Sequence, residues 1–267
     1  SLYMFTYFTD RDGKYQLKCM AESGFDPLAR TCRFMLTEEA HHMFVGDTGI
    51  GRVVKRTLEV MNELKTDNPA ALRAAGVVDL PTIQKYINFW FSSSLDLFGA
   101  ENSSNAASTF ANGIKGRPDE GSFADHLEKD SSFKLDTPNG EEDVPMRNAM
   151  NEVVRGGYVK DCETGFKRWN RMIERAGWQF ELRLPSTRFR RGIGAWAGVP
   201  VDPQGNRVSL DVFTAHQSQW LPTAEDKTFV KSLMQGVVEP GKMAGWVAAP
   251  DRGINNNPVE YEYVKLQ

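Results

Sequence analysis

From residue 1 to about 115 the chain repeats apolar residues at intervals of three and four, with few strand-like alternations. Such a period places the apolar side chains on one face of a helix, so this part of the chain can bury them only by packing helix on helix. The spacing predicts a first helix running to Ser23-Gly24. Asp26-Pro27 then supplies an N-cap and a proline at the first helical position, and a second helix is expected from Leu28 to about Lys65. Asp79 ahead of Leu80-Pro81 opens a third helix, which carries Tyr86, Phe89, Trp90 and Phe91. A fourth apolar and small segment covers Ser103 to Lys115.

From Gly116 to Asp143 the composition turns to Asp, Glu, Gly, Pro and Ser, which reads as a lid or a solvated insertion. Helical character returns from Val144 to Ala176. Beyond Gly177 the pattern is mixed: Phe180 to Leu184 alternates as a strand, Pro203-Gln204-Gly205-Asn206 is a turn, Ala224 to Gln235 suits a helix, and Val259 to Leu266 alternates as a last strand.

The length of 267 residues and a hydrophobic content of 40% allow a sizeable core. A net charge of -3 offers no basic field for nucleic acid, and every apolar run is broken well before a bilayer's width. The start, Ser-Leu-Tyr-Met-Phe-Thr-Tyr-Phe, has neither a basic flank nor a small-residue cleavage site, and it reads as the middle of a buried helix. Cys19, Cys32 and Cys162 are scattered and form no paired motif, as expected of core residues in a reducing, cytoplasmic setting.

Glu38-Glu39-Ala40-His41-His42 places two E-x-x-H pairs on the second helix, and residues at i and i+3 share a face. The stripe through Leu28, Cys32, Met35, Glu39, His42, Gly46 and Ile50 is apolar or small apart from the two candidate ligands. The stripe through Phe34, Glu38, His41, Val45 and Arg52 ends in charge. Glu39 and His42 are therefore expected to point inward, where they need a partner. Counted from the turn at Gly24–Asp26, Asp10 lies about 15 residues up one helix and Glu39 about 13 up the next, so both sit roughly 20 Å from it. Asp10, Glu39 and His42 thus form a candidate ligand set, with Asp12 on the neighbouring stripe as a competitor for the first place. An acid facing an E-x-x-H pair is half of a ferritin-like di-iron site, and hard carboxylates with one imidazole suit iron or manganese better than zinc. A chance E-x-x-H on an ordinary helix is the plain alternative.

The expected fold class is mainly α. A ferritin-like bundle carrying half of the di-iron site occupies 1–177, with an acidic loop at 116–143, and a smaller irregular α+β region occupies 178–267.

Thr9-Asp10-Arg11-Asp12-Gly13-Lys14, Phe25-Asp26-Pro27-Leu28-Ala29-Arg30-Thr31, Leu36-Thr37-Glu38-Glu39-Ala40-His41-His42, Ser103-Ser104-Asn105-Ala106-Ala107 and Arg252-Gly253-Ile254-Asn255-Asn256 together give a further clue. Through them the chain resembles the carboxy-terminal part of the oxygenase components of benzoyl-CoA 2,3-epoxidases, over nearly its whole length. The resemblance implies that the positions of Asp10, Glu39 and His42 bind iron, with Asp10 and Glu39 also serving catalysis. It implies two iron ions, O2 and benzoyl-CoA, with one oxygen atom added across an aromatic carbon–carbon bond. Electrons would come from a separate NADPH-dependent flavin and iron–sulfur reductase. It also implies that two further metal-bearing helices precede this stretch, since His126 and His216 lie in no convincing E-x-x-H pair. Those helices, or a second chain, would complete the site.

A coenzyme A ligand calls for cations and polar groups. Arg188, Arg190 and Arg191 form the densest basic segment, Lys115 and Arg117 a second, and Asn105 lies in a polar run that either meets the thioester arm or caps a helix. The plain reading of these cations is a solvated or salt-bridged surface. Trp90, Phe91, Phe98 and Phe110 either line a ring-shaped pocket or are core. Gly46-Asp47-Thr48-Gly49-Ile50-Gly51 follows a helix rather than a strand, so helix packing is favoured over a nucleotide loop. Two rival functions remain: a ferritin-like iron-binding protein whose half-site a second chain completes, and a non-redox subunit that binds a CoA thioester.

Overall fold

The computed structural model describes residues 1–118, 132–234 and 244–250. His126, the 252–256 motif and the expected strand at 259–266 lie outside these residues. Helix α1 spans Leu2–Ala21 and α2 spans Asp26–Leu64, an antiparallel pair joined by a four-residue turn. Gly24 N and the Ser23 hydroxyl both donate to Gly113 O, at 2.8 and 3.2 Å, which anchors that turn. The N-cap of α2 is Phe25 rather than Asp26. Asp26 is instead the first helical residue, where its charge meets the helix dipole and pairs with Arg30 one turn on.

Helix α3 (Pro69–Ala74) is a short piece that the sequence pattern did not signal, started by the Asn68 side chain accepting from Ala70 N and Ala71 N. Helix α4 (Leu80–Leu95) starts as expected at Asp79, whose carboxylate accepts from Thr82 N at 2.8 Å. Helix α5 (Ser104–Ala111) is capped by Ser103. The segment read as aperiodic contains a hairpin, β1 (Ser132–Thr137) against β2 (Gly140–Pro145), with Thr137 opposite Gly140. Gly140 takes φ of +113°, a conformation that suits glycine in so tight a turn. Helix α6 (Met150–Arg175) therefore begins later than Val144, after this hairpin and a 3-10 turn.

Four helices build the core. Tyr7 and Phe8 of α1, Ile50, Val54 and Met61 of α2, Ile87, Phe91 and Leu95 of α4, and Tyr158, Cys162, Trp169 and Ile173 of α6 are all buried together. The three cysteines are free and buried, as expected of core residues.

The expected strand at 180–184 is not one. The alternation is real, but Asn170 bonds Leu182 in both directions at 2.8 Å, and Gln84 bonds Arg183 in both directions at 2.7 and 2.9 Å. Side-chain amides from two helices take the place of a neighbouring strand. Helix α7 (Leu210–Trp220) was not anticipated, because none of its residues is fully buried and its pattern is weak. Helix α8 (Ala224–Met234) lies where its period placed it. Among the described residues, no helix is long and apolar enough to cross a membrane.

Candidate metal centre

The α1–α2 pair crosses at unusually close range, and glycine is the reason. A Cβ on Gly46 would stand 2.5 Å from Tyr7 N and 2.8 Å from the Thr6 carbonyl carbon, and one on Gly49 would enter the Tyr3 ring. The small residues of 46–51 thus serve helix packing. About two turns further on, a Cβ on Gly13 would lie 3.7 Å from Glu39 Oε1. Each step up α1 is matched by an equal step back along α2, and that register brings Asp10 opposite His42.

The result is a cluster. Asp10, Glu39 and His42 each offer a ligand atom, all within 4.8 Å of one another. His42 Nδ1 stands 3.7 Å from Asp10 Oδ2 and 3.6 Å from Glu39 Oε2, long for hydrogen bonds. The two carboxylates are only 14% and 17% exposed, whereas the His42 side chain is 48% exposed. Glu39 Oε2 is buried and has no hydrogen-bond partner. Desolvation raises the pKa of both acids. The Asp10 charge adds to the rise at Glu39, and His42 opposes it at both. Two dehydrated acids that repel one another, one with an orphaned oxygen, are what a cation would relieve. Two carboxylates and an imidazole match the oxygen-rich donor set of iron or manganese, so the residues present fit that metal. No other group of three such ligands occurs among the described residues.

Glu38 and His41 are exposed, on the outer side of the same helix. Met35 and His42, both on the stripe expected to point inward, are 42% and 48% exposed, so that of the E-x-x-H pair only Glu39 is turned in. Asp12 stands apart from the cluster. It is buried beneath Gln16 and feels the charges of Lys115 and Arg155.

Burial pushes the Asp12 carboxyl up to about 7. Its folded-state proton is therefore held at pH values where the unfolded chain has already lost it. That mismatch costs stability above about pH 7, and stability returns as pH falls through that value toward the ordinary carboxylate range. Asp12→Asn should stabilise the metal-free protein by on the order of 2–4 kcal/mol at pH 8 and flatten its stability between pH 5 and 8. Urea melts at both pH values read this out, and a variant as pH-dependent as the parent would exclude Asp12 as the source.

The expected substrate contacts separate into groups. Arg191 is buried, held by Asp96 at 2.7 Å and by Glu101 at 2.8 Å. Arg188 pairs with Asp136 at 2.5 Å and lies over the Trp196 ring. Among the described residues, Arg190 hydrogen-bonds only to the serine hydroxyls of α4. Lys115 and Asn105 come together with Asn151, Ser103, Thr109 and Phe110 around a cavity of about 420 Å3. Lys115 also donates to Gln16 Oε1 at 2.9 Å, and Arg117 is itself partnered. Phe91 and Phe98 are core residues, Trp90 packs against Phe5, and Phe110 faces the cavity. The part of Asn151, which lines the cavity from α6, was not legible from its isolated position in sequence.

No family model matches the chain. It is 52% identical over 271 aligned residues to benzoyl-CoA oxygenase component B of Aromatoleum evansii. The match covers 100% of this chain and 57% of that relative. The likeness first drawn from scattered motifs thus extends from end to end, and the chain is homologous over its full length to the carboxy-terminal part of a benzoyl-CoA oxygenase component B.

Proposed function

We propose that this chain forms the carboxy-terminal part of an oxygenase component acting on benzoyl-CoA, and that Asp10, Glu39 and His42 supply one half of its di-iron site. The observation that carries the reading is the convergence of two dehydrated carboxylates and an imidazole, with one buried carboxylate oxygen left unpaired. The relative's printed name supports the substrate class. When bound, the iron pair supplies the reduction of O2 and the transfer of one oxygen atom to the 2,3 bond of the ring. Asp10 and Glu39 neutralise metal charge, and His42 completes the triad from the exposed side. The cavity beside Lys115 and Asn105 is a seat for a polar acyl-thioester arm. Electrons come from an NADPH-dependent flavin and iron–sulfur reductase, and the other half of the ligand set comes from upstream helices or a second chain.

Metal analysis and oxygen uptake test this reading together. With the upstream segment supplied in cis or in trans, the protein should hold two irons and consume O2 only when benzoyl-CoA, reductase and NADPH are all present. Iron without benzoyl-CoA-dependent uptake would favour an iron-storage protein. Tight benzoyl-CoA binding with no iron would favour a non-redox thioester-binding subunit.

A further inference from the structure

Arg190 adopts φ of +51°, in the left-handed region where a non-glycine residue is uncommon and costs stability. The other such residue among those described, Lys65, closes helix α2 at its C-cap and needs no further explanation. Arg190 closes no helix. It follows a turn in which Phe189 N donates to Ser186 O at 3.0 Å.

The backbone twist turns the guanidinium onto α4. There it lies 4.9 Å from the centroid of the Phe89 ring, and Nη1 donates to Ser93 Oγ at 3.0 Å and Ser92 Oγ at 3.3 Å. Both serine hydroxyls donate to Phe89 O, at 2.8 and 3.2 Å. Their protons are thus committed, and their lone pairs face the arginine. The guanidinium is held on two sides, by a ring and by two oriented oxygens.

Its other edge is unused. Nε and Nη2 of Arg190 have no acceptor among the described residues, and neither belongs to the fully buried atoms lacking a partner, so that edge of the half-buried side chain is not sealed from solvent. Among the described residues, no carboxylate pairs with it. Asp96, the acid whose charge it feels, gives Oδ1 to Arg191 Nε at 2.7 Å and Oδ2 to Gly192 N at 2.8 Å. Arg188 and Arg191 are both held by acids, which leaves Arg190 as the one of the three with no ion pair among the described residues. A rigid planar fork with two parallel N–H groups fits a tetrahedral or planar oxyanion in bidentate fashion.

We propose that the Nε–Nη2 edge of Arg190 is an oxyanion-binding site that takes a phosphate-type group of a ligand. The serine run that seats Arg190 ends at Ser94, whose hydroxyl meets Thr9 Oγ1 at 3.2 Å, next to Asp10 in sequence. An anion held at Arg190 is therefore anchored to the α4 surface that packs against the metal-bearing helix. The site deepens the proposed function by naming a phosphate anchor for its substrate, but it requires neither iron nor turnover.

Arg190→Gly tests it without the usual ambiguity, because glycine relaxes the left-handed backbone while removing the fork. Coenzyme A, inorganic pyrophosphate and phosphate-free pantetheine are titrated calorimetrically into the full chain. The glycine variant should melt at or above the parent's temperature and bind coenzyme A and pyrophosphate about tenfold to a hundredfold more weakly, with pantetheine unaffected. Arg190→Lys, which keeps the charge but not the fork, should recover only part of the loss. Arg183→Ala, which removes a surface cation paired with Glu181, should bind all three as the parent does. Unchanged coenzyme A and pyrophosphate affinity in Arg190→Gly, or no phosphate binding by the parent, overturns the proposal and leaves the metal reading standing. Iron loss with normal phosphate binding does the reverse.

Discussion

Gly46→Leu is expected to lower the stability of the protein by about 3 kcal/mol and to abolish metal binding at the same time. A β-carbon at this position would meet backbone atoms, Tyr7 N at 2.5 Å and the Thr6 carbonyl carbon at 2.8 Å, and backbone cannot rotate out of the way. The helix-propensity gain from replacing glycine is only about 1 kcal/mol, so overpacking wins. Relief requires α1 and α2 to move apart where they cross. Gly46 lies one turn from His42, and Thr6–Tyr7 lie one turn from Asp10, so the movement pulls the triad open. Gly156→Ala is the matched control: its β-carbon meets nothing within 4 Å on α6, and it should hold or gain up to about 1 kcal/mol. Equal denaturation midpoints for Gly46→Leu and the parent would show that the crossing is not fixed by glycine.

Much of this architecture was legible in sequence, for reasons that particular residues make plain. The turn at Ser23-Gly24 and the periods on either side bring Asp10 to about the height of the Glu39–His42 pair by helix geometry, although the actual register sets Asp10 opposite His42 and Gly13 against Glu39. The choice of Glu39 over Glu38 likewise follows from which stripe is apolar, and the structure half-buries Glu39 and exposes Glu38. What escaped was set by tertiary contact. The alternation at 180–184 is that of a strand, yet amides of Asn170 and Gln84, remote in sequence, supply its hydrogen bonds. Three neighbouring arginines look alike in sequence. Only their partners distinguish buried Arg191, ion-paired Arg188 and open-edged Arg190, and those partners come from Asp96, Glu101, Asp136 and the serines of α4. Helix α7 rests on the core region only through half-buried residues such as Phe213 and Trp220, too few to impose a period.

The second large effect concerns the triad itself. Glu39→Ala and His42→Ala should each abolish ferrous iron binding, whereas Glu38→Ala and His41→Ala should leave it intact. The two pairs have the same composition and the same spacing on the same helix, so charge and helix propensity change equally, and only direction differs. Glu39 shares a dehydrated site with Asp10, and its orphaned Oε2 is the group that a metal ion would satisfy. Removing it deletes an anionic ligand. Removing His42 deletes the imidazole on the triad's exposed side. Glu38 and His41 face solvent, and their loss costs the site nothing. The measurement is anaerobic ferrous titration of the four variants and the parent, each with the upstream segment supplied as above, read by calorimetry and by iron retained after desalting. The account predicts parent-like iron for Glu38→Ala and His41→Ala and none for Glu39→Ala and His42→Ala. Equal loss across both pairs, or iron retained by Glu39→Ala, would contradict it.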